Sequence, residues 1–484
     1  MTRASQAIPD PGGWQALTTA AEVVAAALGR GRGVCVWGHD DIDGAAATAI
    51  IRSALPAGAD VGYYIPPRSG AHYGLDAEVI GRLAAAGTGL IITADCGISN
   101  AAEADYARTK GVALVITDHH ELPSALPLAD AVVNPKLGGP GSPGPDLCGA
   151  AVALYLAAQL TGATAGDWLA ADRRRLAWAA LATVSDRVPL RDENRPILAA
   201  GMAAMAAEPV FRAVAGEIGL DLGRGLSHRI IAGHFVALLA GMASEGPRHP
   251  VVELLGGAVD PALVRQQWTA QRRWRERLAA QAEAKKGRLN PARDSVNLVV
   301  DEQLPPEMIG PLAGRLREAT GFPAVVIGLK NGLHVGECRG FEPFDCAAML
   351  RELAANFVQS GGHKQAAGFT VKPDRLGETL VAIEEYADGR KEQIAAARPR
   401  PEPVRSFATP AELAAGAAEL AGGAPYGPGN PEPVCRIEAL PQDCAAGSSC
   451  WLDDLLSRAG GPARPTDVAV DVTHTGSISL RALS

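Results

Sequence analysis

The sequence predicts an α/β protein built on a Rossmann-like parallel sheet, and three observations support that fold class. Short apolar runs such as "GVCVW" (33–37) and "GLIITA" (89–94) alternate with alanine-rich segments of helical length. Strands that are apolar throughout are typical of parallel sheets covered by helices on both faces. Acidic residues follow directly after several of these runs, at the strand ends where parallel sheets bind their ligands.

The elements of the first part, residues 1–255, follow from this alternation. From about residue 150 the pattern is mainly helical, with Ala, Leu and Arg at helical spacing. Before that point the chain gives, in order, "GVCVW" and the helix "GAAATAIIRSAL", "GLIITA" and the helix "SNAAEADYARTKG", then the strands in "VALVIT" and "ADAVVNP".

Three further parts follow, as expected for a chain of 484 residues, which is too long for one core. Residues 256–292 contain a long polar segment without a clear apolar stripe, which is typical of a helix that bridges two domains. A second, smaller α/β domain is predicted over 293–390. A proline-rich linker at 397–405 then leads into a short β-rich part, residues 402–484.

The charge balance limits the ligands that the whole surface can attract. The formal net charge is -8, from 45 Lys and Arg against 53 Asp and Glu residues. A polyanion must therefore be held by local basic groups or by bound cations. The apolar runs are too short to span a bilayer and the N-terminus lacks signal-peptide features, so we expect a cytoplasmic protein without membrane contact.

The 8 cysteines are scattered and form no CxxC pair. Neither a disulfide framework nor a zinc site is therefore indicated. We expect them to be mostly small buried residues.

Acidic and imidazole side chains stand in four groups at the ends of apolar segments. Because the carboxyl ends of neighbouring parallel strands meet at one edge of the sheet, we expect the groups to converge. Within the first group, two carboxylates lie two positions apart and would point the same way in extended backbone. The groups are His39, Asp41 and Asp43; Asp95; Asp118, His119 and His120; and Asp186.

Such a concentration of carboxylates requires compensation. Unpaired carboxylates raise one another's pKa and destabilise the fold, whereas divalent cations remove the repulsion. Asp and His ligands without Cys suit Mn²⁺ or Mg²⁺. A pair of such ions about 3.5–4 Å apart is the usual arrangement for phosphoester hydrolysis.

Each group also has an ordinary structural explanation. Asp43 before "GAAATA" could cap a helix, and Asp95 in "DCG" could form a turn. The tripeptide "DHH" could be a chance run with surface histidines. Four such groups in order, three of them after successive apolar strands, favour the metal hypothesis.

The motifs that carry these residues resemble the DHH phosphoesterase superfamily, and within it the exonucleases specific for single-stranded nucleic acid. The resemblance implies a DHH catalytic domain at 1–255, a DHH-associated substrate-binding domain at 293–390 and an OB-like region at 402–484, short for a complete barrel. The similar segments are "GHDDIDGAAATA", "ITADCGIS", "VITDHHELP" and "ATVSDRVPLRDENR" for four successive motifs; "YYIPPRSGAHYGL", "AVVNPK" and "LCGAAVALYLA" for their connections; "GECRG" and "GGHKQAAGF" for the associated domain; and "APYGPGNPEP" for the lead into the OB-like region.

The family pattern, carried over by position, implies a dinuclear centre that holds two Mn²⁺ or Mg²⁺ ions. One ion would be held by His39, Asp41 and Asp95. The second would be held by Asp43, Asp95, His119 and Asp186, so that Asp95 bridges the two ions. As catalytic residues, Asp118 would support the site and His120 would face the scissile phosphate or the leaving group.

The same pattern implies substrate-binding residues outside the metal centre. Arg339 and His363 would contact a substrate phosphate, and Gly361 and Gly362 would let backbone amides approach it. Arg68 in "IPPRSG" would also meet substrate. An ordinary glycine turn with a surface histidine is the alternative for the "GGH" stretch.

Two departures from the exonuclease pattern bear on substrate length. The exonucleases usually have Asp where this chain has His39, while small-nucleotide members of the superfamily often have His. The exonucleases also usually have the segment "INAAGR" where this chain has "LLAGMASEG" (238–246). Leu238 and Met242 therefore stand at the positions of an Asn and an Arg that help hold DNA. Loss of such contacts weakens the grip on a long strand.

The leading functional hypothesis is a metal-dependent 5′-to-3′ exonuclease that acts on single-stranded DNA, in preference to RNA, and releases mononucleotides. The direction comes from the resemblance alone. Repair or replication proteins are the expected protein partners. The alternatives are a phosphodiesterase for short oligonucleotides or cyclic dinucleotides and, from another class, a non-catalytic replication or repair scaffold.

Overall fold

The computed structural model describes residues 10–67, 74–163, 172–242, 248–287, 290, 294–397, 405–407, 412, 416, 420, 423–437, 466–475 and 478–482. The chain divides into two compact units. The first unit contains Met1–Trp268 together with Pro403–Ser484, and the second contains Thr269–Glu402.

The first unit is built on a five-stranded sheet in which every neighbouring pair of strands is parallel. The strands are β1 (Gly33–Trp37), β2 (Val61–Tyr64), β3 (Thr88–Thr93), β4 (Ala113–Thr117) and β5 (Ala131–Val133). Their order in the sheet is β2-β1-β3-β4-β5, so β2 lies on one side of β1 and the later strands follow on the other side. The prediction of a Rossmann-like parallel sheet is confirmed.

Side chains of β1 alternate between two separate hydrophobic clusters. Val34 and Val36 belong to the larger cluster, whereas Cys35 and Trp37 belong to a smaller one. Successive side chains of a strand point to opposite faces, so both faces of the sheet are covered. This explains why the central strands are apolar throughout.

Strand β2 was not predicted from the sequence. It lies at the edge of the sheet, pairs only with β1, and is partly exposed along its length. A short edge strand with the sequence "VGYY" needs no continuous apolar run and so leaves a weak pattern.

Helices surround this sheet and fill the region that was predicted to be mainly helical. Within the described part of the chain, none of them has by itself the length and apolar composition of a membrane span, although the bent pair Asn194–Ala207 and Pro209–Ile218 together reaches both. The helices are α1 (Gln15–Gly29), α2 (Ile42–Ala54), α3 (Ala77–Ala85), α4 (Ala101–Thr109), α5 (Gly149–Thr161), α6 (Arg173–Ser185), α7 (Asn194–Ala207), α8 (Pro209–Ile218), α9 (His228–Leu239, with a π-helical turn at Ala232–Val236) and α10 (Pro250–Leu255).

The long polar segment forms one helix, α11 (Pro261–Lys286), which begins in the first unit and ends in the second. The second unit contains a mixed five-stranded sheet in the order β6-β7-β8-β10-β9. Its strands are β6 (Asn297–Val300), β7 (Ala324–Lys330), β8 (Leu333–Arg339), β9 (Phe357–Gly362) and β10 (Ala366–Val371), and its helices are α12 (Ile309–Thr320), α13 (Cys346–Glu352), α14 (Leu376–Asp388) and α15 (Lys391–Ala397).

The β-rich C-terminal part contributes a small sheet to the first unit. Its described strands are β11 (Arg405–Phe407), β12 (Val434–Ile437), β13 (Thr466–Val472) and β14 (Ile478–Ala482), and only the pairing of β11 with β12 is parallel. Residues 438–465 lie outside the described part of the chain, so the OB-like assignment stays a prediction.

The six cysteines that the structure describes are buried, as expected. Cys444 and Cys450 lie outside the described residues.

Candidate metal centre

The first acidic group lies where β1 passes into α2. Asp41 is the N-cap of α2, and its Oδ1 atom accepts a hydrogen bond from the Gly44 N–H at 2.8 Å. Asp43 already lies in the first turn of the helix. The expectation that both side chains point the same way from extended backbone is therefore wrong, because the helix starts between them. The capping role considered for Asp43 belongs to Asp41.

This change of backbone direction lets the two carboxylates face different partners. His39 Nδ1 lies 3.1 Å from Asp41 Oδ2 and 3.8 Å from Asp95 Oδ2. His39, Asp41 and Asp95 together form one group whose candidate ligand atoms all lie within 4.8 Å of one another.

Asp95 follows β3 and has an unusual backbone conformation. Its φ angle is 68°, a left-handed value that is uncommon for residues other than glycine. Its backbone N–H donates to the Thr117 carbonyl oxygen, which fixes it beside the end of β4. The side chain is buried, and within the described part of the chain its Oδ1 atom accepts no hydrogen bond. Such local strain is typical of functional sites.

His119 connects Asp95 to a second group. Its Nε2 atom lies 3.1 Å from Asp95 Oδ1, and 3.8 Å from both Asp43 Oδ2 and Asp186 Oδ2. Asp43, His119 and Asp186 also meet the 4.8 Å criterion as a group. The structure therefore brings together all six residues that were predicted as metal ligands, and Asp95, a member of the first group, contacts His119 of the second.

Helix α5 holds one of these carboxylates. The N–H groups of Gly149 and Ala150, at its N-terminus, donate to the two carboxylate oxygens of Asp43, each at 2.7 Å. A Cβ atom at position 149 would lie 2.5 Å from Asp95 Oδ1, so only glycine fits there. The segment "LCGAAVALYLA" was predicted only as a connection between motifs, and this role was missed; a glycine that opens an apolar helix was the available signal.

Asp118 and His120 form a pair beside the metal group. Asp118 is buried, and its Oδ1 atom lies 2.8 Å from His120 Nδ1 while its Oδ2 atom accepts from the Ile98 N–H. Burial alone would raise the pKa of Asp118, but hydrogen bonds from His120 and from backbone N–H groups lower it overall. The hydrogen bond to Asp118 in turn raises the pKa of His120, whose side chain is 56% exposed.

Two further residues that the sequence analysis did not single out support this loop. Asn134 is buried, and its side-chain amide donates to the His120 carbonyl oxygen at 3.1 Å. The Lys136 ammonium donates to the His119 carbonyl oxygen. Both belong to the segment "AVVNPK", so a polar pair directly after a strand was the signal.

Electrostatics show why these groups require a cation. Burial, followed by the charges of neighbouring Asp residues, raises the pKa of Asp43 to about 6 and raises that of Asp95 well above its usual range. No Lys or Arg of the described residues forms an ion pair with either carboxylate. The donors are oxygen and imidazole nitrogen, which suits Mn²⁺ or Mg²⁺. The residues present therefore fit a divalent metal centre.

The predicted substrate-binding residues of the second unit lie around strands β8 and β9. Arg339 ends β8, and its guanidinium lies 2.8 Å from Glu337 Oε2. His363 follows the edge strand β9 and is exposed.

The two glycines of the "GGH" stretch differ in their surroundings. Gly362 has φ 139°, and a Cβ atom there would lie 2.4 Å from Ala367 Cα, so the hairpin itself requires glycine. Gly361 has open space around it. Arg68 lies outside the described residues.

The fold and the site together define the class of protein. The sequence profile described as "DHH family, N-terminal domain" matches residues 33–182, and the "DHHA1 domain" profile matches residues 294–389. A curated relative from Dickeya dadantii (strain 3937), "Single-stranded-DNA-specific exonuclease RecJ", is 31% identical over an alignment of 395 residues that covers 75% of this chain and 67% of the relative. The chain belongs to the RecJ family of DHH proteins.

Solved structures agree with this membership. "Crystal structure of exonuclease RecJ bound to manganese" is similar with a TM-score of 0.58 at 26% identity, over 80% of this chain and 96% of that one. A crystal structure of RecJ from Thermus thermophilus in complex with Mn²⁺ has a TM-score of 0.66 at 24% identity, over 96% and 70% of the two chains, and shares the fold. The chain spans 67%, 48% and 62% of the length of the curated relatives from Dickeya dadantii, Bacillus subtilis and Thermus thermophilus, in that order.

Proposed function

We propose that this protein is a metal-dependent phosphodiesterase that degrades single-stranded DNA from the 5′ end and releases mononucleotides. The observation that carries the proposal is the pair of His and Asp groups connected by the contact between Asp95 and His119. Two of their carboxylates, those of Asp43 and Asp95, are buried and have no Lys or Arg partner among the described residues. The similarity to proteins described as single-stranded-DNA-specific exonucleases supports this substrate.

The proposed centre holds two divalent ions, and similar proteins have been solved with Mn²⁺ and with Mg²⁺. His39 and Asp41 would bind one ion, and Asp43, His119 and Asp186 the other, with Asp95 shared between them. Bound ions of this kind lower the pKa of water and neutralise charge on a phosphoryl group.

The residues of the chain orient the reaction around that centre. The Gly149 and Ala150 amides fix Asp43, while the φ of Asp95 turns its carboxylate towards both groups. Asp118 binds His120 at Nδ1, which leaves Nε2 of an exposed ring to face the scissile phosphate. In that position a protonated His120 would donate a hydrogen bond to the phosphate or a proton to the leaving oxygen.

In the second unit, Arg339 and His363 would bind a substrate phosphate, and the free space over Gly361 would let the strand approach the backbone. The proposal includes work on single-stranded intermediates of DNA repair and recombination, together with repair or replication proteins, in the cytoplasm. The acidic net charge agrees with a substrate that is held by metal and by a few local cations.

A second candidate is a phosphodiesterase for short oligonucleotides. Leu238 and Met242, which stand where the exonuclease pattern has polar DNA-holding residues, are 1% and 3% exposed. Buried apolar side chains at these positions offer no contact to a long strand. This observation favours short substrates over processive degradation.

Digestion of labelled substrates in Mn²⁺ separates the candidates. We expect a 5′-labelled single strand to release labelled mononucleotide at once, and the same strand labelled at the 3′ end to give a ladder of shortened products. Matched RNA, duplex DNA and a dinucleotide complete the set, and removal of metal by EDTA should stop cleavage.

Each other outcome points to a different function. Faster turnover of the dinucleotide than of the long strand would support the short-oligonucleotide enzyme. Release of label first from the 3′ end would contradict the direction. The absence of Mn²⁺-dependent cleavage on every substrate would leave the non-catalytic scaffold.

A further inference from the structure

The segment "APYGPGNPEP", residues 424–433, packs against the loop that carries Asp186. This loop runs from Asp186, at the end of α6, to Leu190. The Leu190 N–H donates a hydrogen bond to the Pro428 carbonyl oxygen, with an N–O distance of 2.6 Å. Both stretches belong to the first unit. The segment therefore contacts the main chain just beyond a candidate metal ligand.

Two glycines make this contact close. A Cβ atom at Gly427 would lie 2.7 Å from Leu190 Cδ1 and 2.9 Å from His228 Cδ2. A Cβ atom at Gly429 would lie 3.0 Å from Pro189 Cβ, and the φ of Gly429 is 71°. Side chains at either position would push the loop away.

Hydrogen bonds brace the segment from the other side. The Asn430 amide donates to the carbonyl oxygens of Gly423 and Pro425, at 2.9 and 2.7 Å. Arg195, in α7, donates to the Ala424 carbonyl oxygen at 2.9 Å. Its neighbour Asn194 donates to the Pro189 carbonyl oxygen at 3.1 Å. The segment and the loop are thus both tied to the start of α7.

Asp186 depends on this backbone more than the buried carboxylates Asp43 and Asp95 do. Asp43 is fixed by two amides of α5, and Asp95 by the close packing of Gly149. The side chain of Asp186 is 30% exposed, and among the described residues its carboxylate forms no hydrogen bond; its Oδ2 atom lies 3.8 Å from His119 Nε2. Its backbone N–H donates to the Ala182 carbonyl oxygen at the end of α6, so its position is set by the main chain where this helix passes into the loop.

We propose that residues 424–433 form a clamp that positions Asp186 for metal binding. The proposal rests on the proposed function, because it needs Asp186 to be a metal ligand. It assigns the segment a role in the metal centre, whereas the sequence analysis regarded it only as a lead into a region that binds nucleic acid. Its residues are positioning residues, since none of them contacts the metal group itself.

The test compares Gly429→Ala with Gly219→Ala. Gly219 ends α8 with the same φ of 71°, but a Cβ atom there meets no described atom within 4 Å. Both variants carry the same backbone strain, and only the first presses on Pro189. We expect Gly429→Ala to raise the half-saturating Mn²⁺ concentration about tenfold, with the KM for the DNA strand unchanged and kcat restored by excess Mn²⁺.

A measurement without metal makes the result independent of catalysis. In the metal-free protein, hydrogen exchange of the Leu190 amide should be faster in Gly429→Ala than in wild type or Gly219→Ala. Asn430→Ala removes two hydrogen bonds without adding bulk. It should also speed exchange of the Leu190 amide and raise the half-saturating Mn²⁺ concentration, by less than Gly429→Ala does.

The outcomes separate the clamp from the proposed function. If wild type neither binds Mn²⁺ nor cleaves DNA, the proposed function is wrong, and so is the proposal that the clamp positions Asp186 as a metal ligand. The hydrogen-exchange result would then still show whether residues 424–433 hold the loop. If wild type is active, equal Mn²⁺ requirements in the two glycine variants would overturn the clamp alone. A raised KM for the strand with an unchanged Mn²⁺ requirement would also overturn it.

Discussion

The metal centre of the first unit and the "GGH" strand end of the second unit were both predicted as functional, but they differ in what the folded chain reveals. In the first unit, residues from distant parts of the sequence converge, and Asp43 and Asp95 are buried with pKa values raised by burial and by like charge. In the second unit, Gly361 and His363 lie exposed, and all the groups of potential ligands within the described residues belong to the first unit.

The difference reflects two kinds of binding site. A metal centre requires charges that are unfavourable without the ion, so the ligand-free chain still shows strain, buried carboxylates and an oxygen without a hydrogen bond. A surface that binds a phosphate of a flexible strand needs only exposed donors and open space. The fold alone therefore supports the first site more strongly than the second.

The largest expected effect comes from Asp95→Asn. Asn has the same shape and tolerates positive φ, so the fold should persist while both ions lose a shared ligand. We expect kcat for Mn²⁺-dependent cleavage to fall about 10³-fold or more, since several kcal/mol of transition-state stabilisation are lost.

The control for this variant is Asp374→Asn, at an exposed residue of the second unit with φ 64°. It carries the same change at a similar φ without a neighbouring metal group. Near-normal turnover of Asp95→Asn, measured with a control that is also normal, would rule out a bridging carboxylate.

The sequence predicted the convergence at this site because strand ends are visible in the local pattern, and neighbouring parallel strands place their carboxyl ends at one edge of the sheet. The runs before Asp95 and Asp118 are buried central strands, and continuous apolar runs identify such strands well. The pattern could not show that Asp41 caps α2 while Asp43 lies inside it. The first residue of a helix is decided by a local hydrogen bond, here from the Gly44 N–H to the Asp41 side chain, and the apolar pattern does not record it.

The roles of Gly149 and Asn134 were beyond the sequence for a different reason. Gly149 contacts Asp43, which is distant in the sequence, and only the packing of α5 shows this contact. Asn134 contacts the main chain of His120, and only the position of β5 beside that loop shows it. Strand β2 was missed because an edge strand has no continuous apolar run to predict it.

A moderate effect is expected for His363→Ala, which tests the site that the fold supports less. Loss of a charge-assisted hydrogen bond to phosphate corresponds to about 10-fold to 100-fold in affinity. We expect the KM for single-stranded DNA to rise by that factor with little change in kcat. His334→Ala is the matched control, since His334 lies in the same unit and its Nε2 contacts Glu302 at 2.8 Å. An unchanged KM in His363→Ala would leave the "GGH" stretch as an ordinary hairpin.

The smallest effect concerns the pH dependence of metal stabilisation. In the metal-free protein the pKa of Asp43 is raised from 3.8 to about 6. Between these values the folded state binds more protons than the unfolded state, so this residue lowers stability as pH rises towards about 6. Asp95 and Asp186 also have raised pKa values and act in the same direction, whereas Asp41 and Asp118 have lowered pKa values and act in the opposite direction only at pH values below about 3.8. The stability of the metal-free protein therefore does not report on Asp43 alone.

The increase in Tm on adding Mn²⁺ isolates the competition between proton and metal for Asp43. At low pH the ion must displace the proton from this carboxylate, whereas at high pH it relieves the repulsion between the ionised carboxylates. We expect this increase to be larger at about pH 7.5 than at about pH 5, by on the order of 5 °C. Asp43→Asn should remove most of the difference. If Mn²⁺ stabilised the protein equally at both pH values, protons and metal would not compete for this carboxylate. Because the described metal groups all lie in the first unit, Mn²⁺ should slow hydrogen exchange in that unit.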